Sequence, residues 1–187
     1  VAVVTRIAAD HLGEYGVHGA QDLAETKLAV AHAVQHGGTL VLNADCPVLM
    51  AAAAAAPHAA RARQALFARE HEHPALVALR AADPAGGNTC GLRQGRLLLT
   101  VQGTVHDLGV ADSLPLALGG AAAYNLDNAC AAALAAACVG WPLAAIRHAL
   151  QHFGRQPQDN PGRLERWPWR GATVLIDYAH NPDGLAQ

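Results

Sequence analysis

The stretch TLVLNADCPVLM, residues 39–50, contains one complete unit of a strand–helix pattern. Residues 39–42 are apolar and predict a short buried strand. The polar residues Asn43 and Asp45 follow at its carboxyl end, and an Ala-rich segment opened by a proline predicts a helix over residues 47–69. A strand, a polar turn and a helix in this order are typical of an α/β fold with a parallel sheet.

The same unit occurs once more upstream. Residues 1–5 (VAVVT) are apolar and β-branched, which predicts another buried strand. Residues 22–35 carry Leu and Val at helical spacing, and the glycines at 37 and 38 end that helix. Two successive units predict two neighbouring parallel strands with helices on the sheet.

The middle of the chain predicts a second kind of pairing. Residues 75–79 are a strand candidate. Residues 92–93 and 96–101 are joined by Gln94-Gly95, which is typical of a tight hairpin, and residues 103–108 add a third strand. We therefore expect a mostly parallel sheet flanked by helices, with a small antiparallel patch.

The last third begins with helices over residues 124–139 and 142–153. A polar, Pro-rich linker follows at residues 155–161, and this composition marks a domain boundary. Residues 173–176 then predict the first strand of the unit that follows.

We accordingly expect a central domain over residues 1–160 and the beginning of a second domain over residues 161–187. The chain starts without Met, inside an apolar run, and stops where Pro182 should open a helix. These features indicate an internal fragment of a longer protein.

Composition excludes several classes of function. Hydrophobic residues make up 52% of the chain and charged residues 15%, so a packed core is expected and disorder is not. The formal net charge of -2 leaves no basic footprint for nucleic acid. The four Cys form no CxxC pair, which fits a reducing compartment. We expect a cytoplasmic protein that contacts neither nucleic acid nor a membrane.

Candidate chemical residues follow the predicted strands. Asp10 and His11 come after the first strand, and ligands in open α/β sheets bind outside the carboxyl ends of strands. A neutral imidazole there can ligate a metal, with a carboxylate orienting it. The alternative is that Asp10 caps a turn and His11 lies on the surface. Asn43 and Asp45 lie at the end of the second predicted strand and could face the same cleft as His11. The alternative for these two residues is a plain Asx turn.

Two helices carry further candidates. Lys27 lies in the helix over residues 22–35, where a solvated side chain is the simpler interpretation. Asn125 and Asn128 are three residues apart, so both amides fall on one helix face and suit recognition of a planar heterocycle. Helix capping by Asn125 is the alternative.

The end of the chain carries a last group of candidates. The guanidinium of Arg163 matches the geometry of phosphate, and the carboxylate of Asp177 can accept ribose hydroxyls at a strand end. The alternatives are a surface salt bridge for Arg163 and a turn at Asp177. His180 lies in the same turn as Asp177.

The order of these pieces resembles the Mur ligase superfamily of ATP-dependent amide-bond ligases, over nearly the whole chain. The spacing from His11 to Lys27 and the NPGR run look most like the Mur-like part of cyanophycin synthetases. The motifs that carry the resemblance are TRIAADHLGEYG, the helical lysine, LNAD, YNLDNACAAA, NPGRLE and DYAHNPDG.

The resemblance implies that residues 173–176 are the first strand of a Rossmann-like second domain, and it implies roles for the candidate residues. His11 would ligate Mg²⁺, and Lys27 would be carbamylated and help to hold a second Mg²⁺. The nucleotide residues that it implies are Asn125 and Asn128 at adenine, Arg163 at phosphate, Asp177 at ribose and His180 in the cleft.

The chemistry that the resemblance implies is phosphorylation of a substrate carboxylate by ATP and attack of an amine on the acyl phosphate. The substrates would be a small molecule or peptide with a free carboxylate, together with an amino acid; homo-oligomerisation is left open. No GxxxxGK[ST] phosphate loop occurs in the sequence, so we expect it upstream of residue 1 and expect the chain alone to lack turnover.

Other functions stay open at this point. A cell-wall UDP-MurNAc-peptide ligase and a folylpolyglutamate-type ligase would share the same motifs. A catalytically degenerate nucleotide-binding protein is favoured by two departures from the family pattern, Tyr124 in place of His and Cys46 in place of Asp. A purely structural α/β domain would scatter the candidate residues over the surface.

Overall fold

A computed structural model describes residues 1–8, 13 and 16–178, and it contains a six-stranded sheet with the strands in sequence order. The strands are β1 Ala2–Val4, β2 Thr39–Asn43, β3 Arg63–Glu70, β4 Thr89–Arg93, β5 Arg96–Val101 and β6 Thr104–Val110. The first four pair in parallel, and β4, β5 and β6 pair antiparallel. The predicted mostly parallel α/β fold with an antiparallel patch is confirmed.

Helices cover both faces of the sheet. They are α1 Ala20–Leu28, α2 Pro47–Ala55, α3 Pro74–Ala82, α4 Ala123–Cys138 and α5 Leu143–His152. Leu40 and Leu42 of β2 pack with α1, α2 and α3, whereas Val41 faces the core formed with α4 and α5. This alternation follows from the period of two in a strand, and apolar residues on both faces let β2 be buried on both. Among the described residues, no helix is both long and apolar enough to cross a membrane.

The helix predicted over residues 47–69 is wrong in its second half. The helix α2 ends at Ala55, a short 3₁₀ turn covers Ala59–Arg61, and β3 occupies the rest. Pro57 cannot donate a backbone hydrogen bond, which ends the Ala-rich helix. Pairing of β3 with β2 and β4 then satisfies its backbone and buries Phe67 completely.

The strand predicted over residues 75–79 is also wrong, because this segment lies inside the helix α3. Pro74 stands at its first turn, where its fixed φ suits a helix. The ring of His73 accepts a hydrogen bond from the Ala75 N–H at 3.2 Å and so caps the helix. The short apolar run over residues 75–79 is typical of a strand, whereas the two residues that start the helix, His73 and Pro74, directly precede it.

The predicted hairpin is confirmed, and its turn has the expected geometry. Gln94 and Gly95 both have positive φ, 51° and 71°, as a type I′ turn requires. The helix predicted over residues 22–35 begins two residues earlier, at Ala20, and its second half is a 3₁₀ helix over Ala29–Ala33. The helix predicted over residues 124–139 is confirmed as α4.

The C-terminal part of the described chain forms a separate two-stranded sheet. The strand predicted over residues 173–176 is present as β8, Ala172–Ile176. It pairs antiparallel with β7, Glu165–Trp169, a strand that the sequence analysis did not predict. Every residue of β8 is exposed. The strand at 173–176 is therefore the second strand of a hairpin, and the second domain expected from residue 161 stays a prediction.

Candidate functional site

Lys27 lies at the carboxyl end of β1. The helix α1 buries Leu23, Ala24 and Leu28, which turns Lys27 outward to solvent. Its Nζ donates a hydrogen bond to the Arg6 carbonyl oxygen at 3.3 Å, just beyond the last residue of β1. The exposed amine thus stands where a ligand of a parallel sheet is expected. Asp10 and His11 lie outside the described residues.

A polar turn marks the carboxyl end of β2. The Asp45 N–H donates to Asn43 Oδ1 at 2.9 Å, which is an Asx turn. For Asn43 the simpler interpretation is therefore confirmed. The Asp45 carboxylate accepts a hydrogen bond from the Arg69 N–H, and His73 Nε2 lies 3.8 Å from its other oxygen. Asp45 thus links the ends of β2 and β3.

Arg69 and Asp127 form an ion pair that the sequence analysis missed. The Arg69 Nε donates to Asp127 Oδ1 at 2.8 Å, and this bond raises the pKa of Arg69 above its ordinary value. Asp127 belongs to α4, one residue before Asn128. Arg69 fell inside the helix predicted over residues 47–69, so its position near the end of a strand was not predicted. The short continuous apolar run over residues 65–68, bounded by polar residues on both sides, was the available signal for a buried strand.

The two predicted adenine residues are in contact. Asn128 Nδ2 donates to Asn125 Oδ1 at 3.3 Å, and Asn125 Nδ2 donates to the Leu116 carbonyl at 2.9 Å. Capping by Asn125 is wrong, because Ala122 is the N-cap and no side chain caps the helix. Within the described part of the chain, no hydrogen bond is made to Asn128 Oδ1. This exposed amide oxygen is available to a ligand.

Tyr124 connects the amide pair to the C-terminal candidates. Burial raises the pKa of the Tyr124 phenol, the Asp177 carboxylate raises it further, and the Arg163 guanidinium lowers it. Both charges must lie near the phenol for these effects to be felt. The charges of Arg163 and Asp177 thus lie close enough to act on Tyr124, which precedes Asn125 at the start of α4.

Local contacts fix Arg163 and Asp177. Asp177 Oδ2 accepts a hydrogen bond from the Leu164 N–H at 2.8 Å, and the Arg163 guanidinium lies 5.3 Å from the centre of the Tyr178 ring. No salt bridge to Arg163 occurs in residues 1–8, 13 and 16–178, so the surface ion pair that was the alternative for this residue is not seen there. Arg163 also lines a small open cleft with Asn160. His180 lies outside the described residues.

The donors for a metal ion are incomplete in the described chain. Nowhere in the described ranges do three or more His, Cys, Asp or Glu side chains come together in a way that could hold a metal. A plain amine at Lys27 would repel a cation, whereas a carbamate on it would offer anionic oxygens, which Mg²⁺ prefers. The exposure of Lys27 at the sheet edge fits such a modification. The described residues also include an amide at Asn128, a guanidinium at Arg163 and a carboxylate at Asp177, and all three side chains are polar groups that can form hydrogen bonds.

Sequence relatives include ligases of two kinds. The cyanophycin synthetase of Crocosphaera subtropica is 30% identical, with 98% of this chain and 20% of the relative aligned. That of Trichormus variabilis is 33% identical, with 97% of this chain and 19% of the relative aligned. A UDP-N-acetylmuramoylalanine–D-glutamate ligase of Symbiobacterium thermophilum is 30% identical over 82% of this chain and 29% of its own length. The chain spans about a fifth of the cyanophycin synthetases that it matches.

A solved structure of a UDP-N-acetylmuramoyl-L-alanyl-D-glutamate–2,6-diaminopimelate ligase superposes with a TM-score of 0.54 at 19% identity. The superposition covers 98% of this chain and 33% of that protein, and it shows a shared fold. The family model for the Mur ligase middle domain matches residues 1–136, nearly three-quarters of the chain. The chain therefore belongs to the Mur ligase middle domain family.

Proposed function

We propose that this chain is the nucleotide-handling part of an ATP-dependent ligase that joins a carboxylate to an amino acid through an acyl phosphate. The proposal is supported by the Asn125–Asn128 amide pair, which lies next to Tyr124 in α4, and by the charges of Arg163 and Asp177, which act on the pKa of that phenol. These side chains come from segments that are far apart in sequence, and together they offer partners for a base, a phosphate and a ribose.

Each side chain has a task in binding the nucleotide. Asn128 Oδ1 accepts a hydrogen bond from the adenine amino group, while Asn125, anchored to the Leu116 carbonyl, holds the Asn128 amide in orientation. Asp177 keeps one carboxylate oxygen for the ribose hydroxyls, because the other accepts from the Leu164 N–H. Arg163 offers its guanidinium to a phosphate.

The metal part of the proposal rests on Lys27 and His11. A carbamate on Lys27, together with the His11 imidazole, would hold Mg²⁺ at the carboxyl edge of the sheet. Bound Mg²⁺ supplies neutralisation of phosphate charge, which phosphoryl transfer requires. The chain's own residues position the nucleotide against that edge.

The proposed substrate class rests on relatives that align over nearly the whole chain. The aligned cyanophycin synthetases favour a ligase of the cyanophycin-synthetase type. From the resemblance of the sequence, we expect such a ligase to join Asp or Arg to a poly-aspartate chain in the cytoplasm. The substrates of the cell-wall ligases in the family are the alternative class.

The β7–β8 hairpin would belong to a second domain that begins at residue 161. Its apolar strand β8 is exposed and pairs only with β7, which supports a unit built separately from the six-stranded sheet.

The test uses Asn128→Ala in the protein as the cell produces it. Loss of a hydrogen bond to the base should raise the Kd of a non-hydrolysable ATP analogue with Mg²⁺ roughly tenfold, measured by calorimetry. Gln151→Ala, which removes an exposed amide on α5, is the matched control and should leave the Kd unchanged.

Two outcomes would contradict the proposal in different ways. Equal Kd values for the wild type and Asn128→Ala would remove the adenine role. Tight nucleotide binding without ADP release, in the presence of poly-aspartate with Asp or Arg and of muramyl-peptide acceptors, would favour a nucleotide-binding protein that has lost catalysis.

A further inference from the structure

Arg69 has unused hydrogen-bond donors at the edge where the proposed nucleotide site lies. It stands one residue before the carboxyl end of β3, and its side chain is 38% exposed. Its Nε is bonded to Asp127, but in residues 1–8, 13 and 16–178 neither terminal guanidinium nitrogen donates a hydrogen bond to a side chain or carbonyl. Four N–H groups are thus left in a planar fork that matches an oxyanion.

The fork is held in place from two sides. The Asp45 carboxylate at the end of β2 accepts from the backbone N–H of Arg69, which fixes the strand end. Asp127, only 22% exposed, holds the Nε from α4 at 2.8 Å. An arginine restrained in this way loses less conformational freedom on binding a ligand than a free surface arginine does.

The ion pair of Arg69 with Asp127 connects the end of β3 to the helix that carries the candidate amides. Asp127 immediately precedes Asn128 on α4, so the same ion pair joins the β3 end to the helix that presents the amide pair. Lys27 marks the end of β1, two strands away. Because adjacent strands lie about 4.8 Å apart, the ends of β1 and β3 are separated by roughly 10 Å.

We infer that Arg69 is an additional binding residue that contacts an oxyanion, either a nucleotide phosphate or the carboxylate of the acceptor substrate. Its terminal N–H groups donate to the anion, while Asp127 holds the guanidinium in a fixed orientation relative to α4. The inference rests on the proposed function for the identity of the ligand.

The experiment compares three variants in the protein as the cell produces it. Arg69→Ala removes the fork, and Asp127→Ala removes only its anchor. Arg63→Ala is a matched control, because Arg63 is an exposed arginine on the same face of the same strand but at its amino end, about 20 Å away at 3.3 Å per residue. The probes are pyrophosphate, a non-hydrolysable ATP analogue with Mg²⁺, and poly-aspartate, with Kd measured by calorimetry and folding checked by thermal unfolding.

We expect Arg69→Ala to raise the Kd of at least one probe roughly tenfold, Asp127→Ala to raise it less, and Arg63→Ala to leave it unchanged. A change for pyrophosphate and the ATP analogue assigns the anion to the nucleotide, and a change for poly-aspartate alone assigns it to the substrate carboxylate. Arg69→Lys should restore part of the affinity, since it keeps the charge but not the fork.

The remaining outcomes separate the two proposals. If the wild type binds the ATP analogue and Arg69→Ala binds every probe as the wild type does, the inference fails while the proposed function stands. Equal losses in Arg69→Ala and Asp127→Ala, not restored at all by Arg69→Lys, would make the pair purely structural and also overturn the inference. Pyrophosphate binding that depends on Arg69, without binding of the ATP analogue, would overturn the proposed function alone. No binding of any probe by the wild type would overturn both.

Discussion

Two strands of nearly the same composition have opposite environments in this protein. The strand β2 reads TLVLN and β8 reads ATVLI. Leu40, Val41 and Leu42 have no exposed surface, whereas Leu175 is 55% exposed. Their apolar content alone would assign both strands to the interior of a sheet.

The difference lies in their neighbours. The strand β2 pairs with β1 and β3 and has helices packed on both faces. The strand β8 pairs only with β7, in a two-stranded sheet. The hydrophobic effect stabilises a strand only where other elements remove its apolar surface from water. The comparison therefore shows that a strand's sequence sets what it can bury, and its partners decide what it does bury.

The largest effect should come from trimming one leucine in each strand. Leu42→Ala leaves a cavity between the sheet and the helices α1, α2 and α3, and it should lower the free energy of unfolding by about 2–5 kcal/mol. Leu175→Ala removes mostly exposed surface and should cost less than about 0.5 kcal/mol. Urea titration followed by circular dichroism measures both values. Similar losses in the two variants would mean that β8 is buried in solution.

An intermediate effect should come from glycines in the same two regions. A Cβ at Gly91 in β4 would lie 2.8 Å from both the N and the Cα of His71, so Gly91→Ala forces two backbones apart and should cost about 3 kcal/mol. Gly171 in the β7–β8 turn has φ 82° and nothing within 4 Å of a Cβ, so Gly171→Ala should cost about 1 kcal/mol from backbone strain alone. The same urea titration compares them, and the reverse order would contradict the packing around β4.

The smallest effect concerns pH and the buried side chain of His71. Its Nδ1 contacts Glu72 at 2.9 Å and its Nε2 contacts Thr100 at 3.0 Å. Burial lowers the pKa of His71 below the ordinary value of 6.5, the Glu72 bond opposes this shift, and the nearby cations of Arg80 and Arg93 support it. The imidazole is therefore held neutral in the folded protein.

As pH falls below about 6.5, the unfolded chain takes up a proton at this residue before the folded chain does, so stability should fall with decreasing pH. The slope for one proton is at most about 1.4 kcal/mol per pH unit. Replacing the imidazole in His71→Gln should flatten the slope between pH 7 and 5, and His148→Gln, at an exposed histidine on α5, is the matched control. Thermal unfolding across that range would contradict the prediction if both variants kept the wild-type slope.

Prediction from the sequence succeeded where local signals agree with the final contacts. The Gln94-Gly95 turn and the polar turn after β2 could be predicted because turn chemistry and apolar runs are local. Prediction failed at residues 63–70, because Ala has high helix propensity and pairing with two neighbouring strands outweighed it. The contact of Asn125 with Asn128 was expected from their spacing, but the ion pair of Arg69 with Asp127 spans 58 positions and leaves no local signal.

The sequence by itself determined the α/β class, the Gln94-Gly95 hairpin turn and the choice of candidate residues for a nucleotide site, because periodicity, turn-forming residues and side-chain chemistry act over a few positions. Only the tertiary structure decided which apolar strand is buried and which polar groups meet at the carboxyl edge of the sheet. Those outcomes depend on the partners that each segment finds across the fold, and distance along the chain does not encode them.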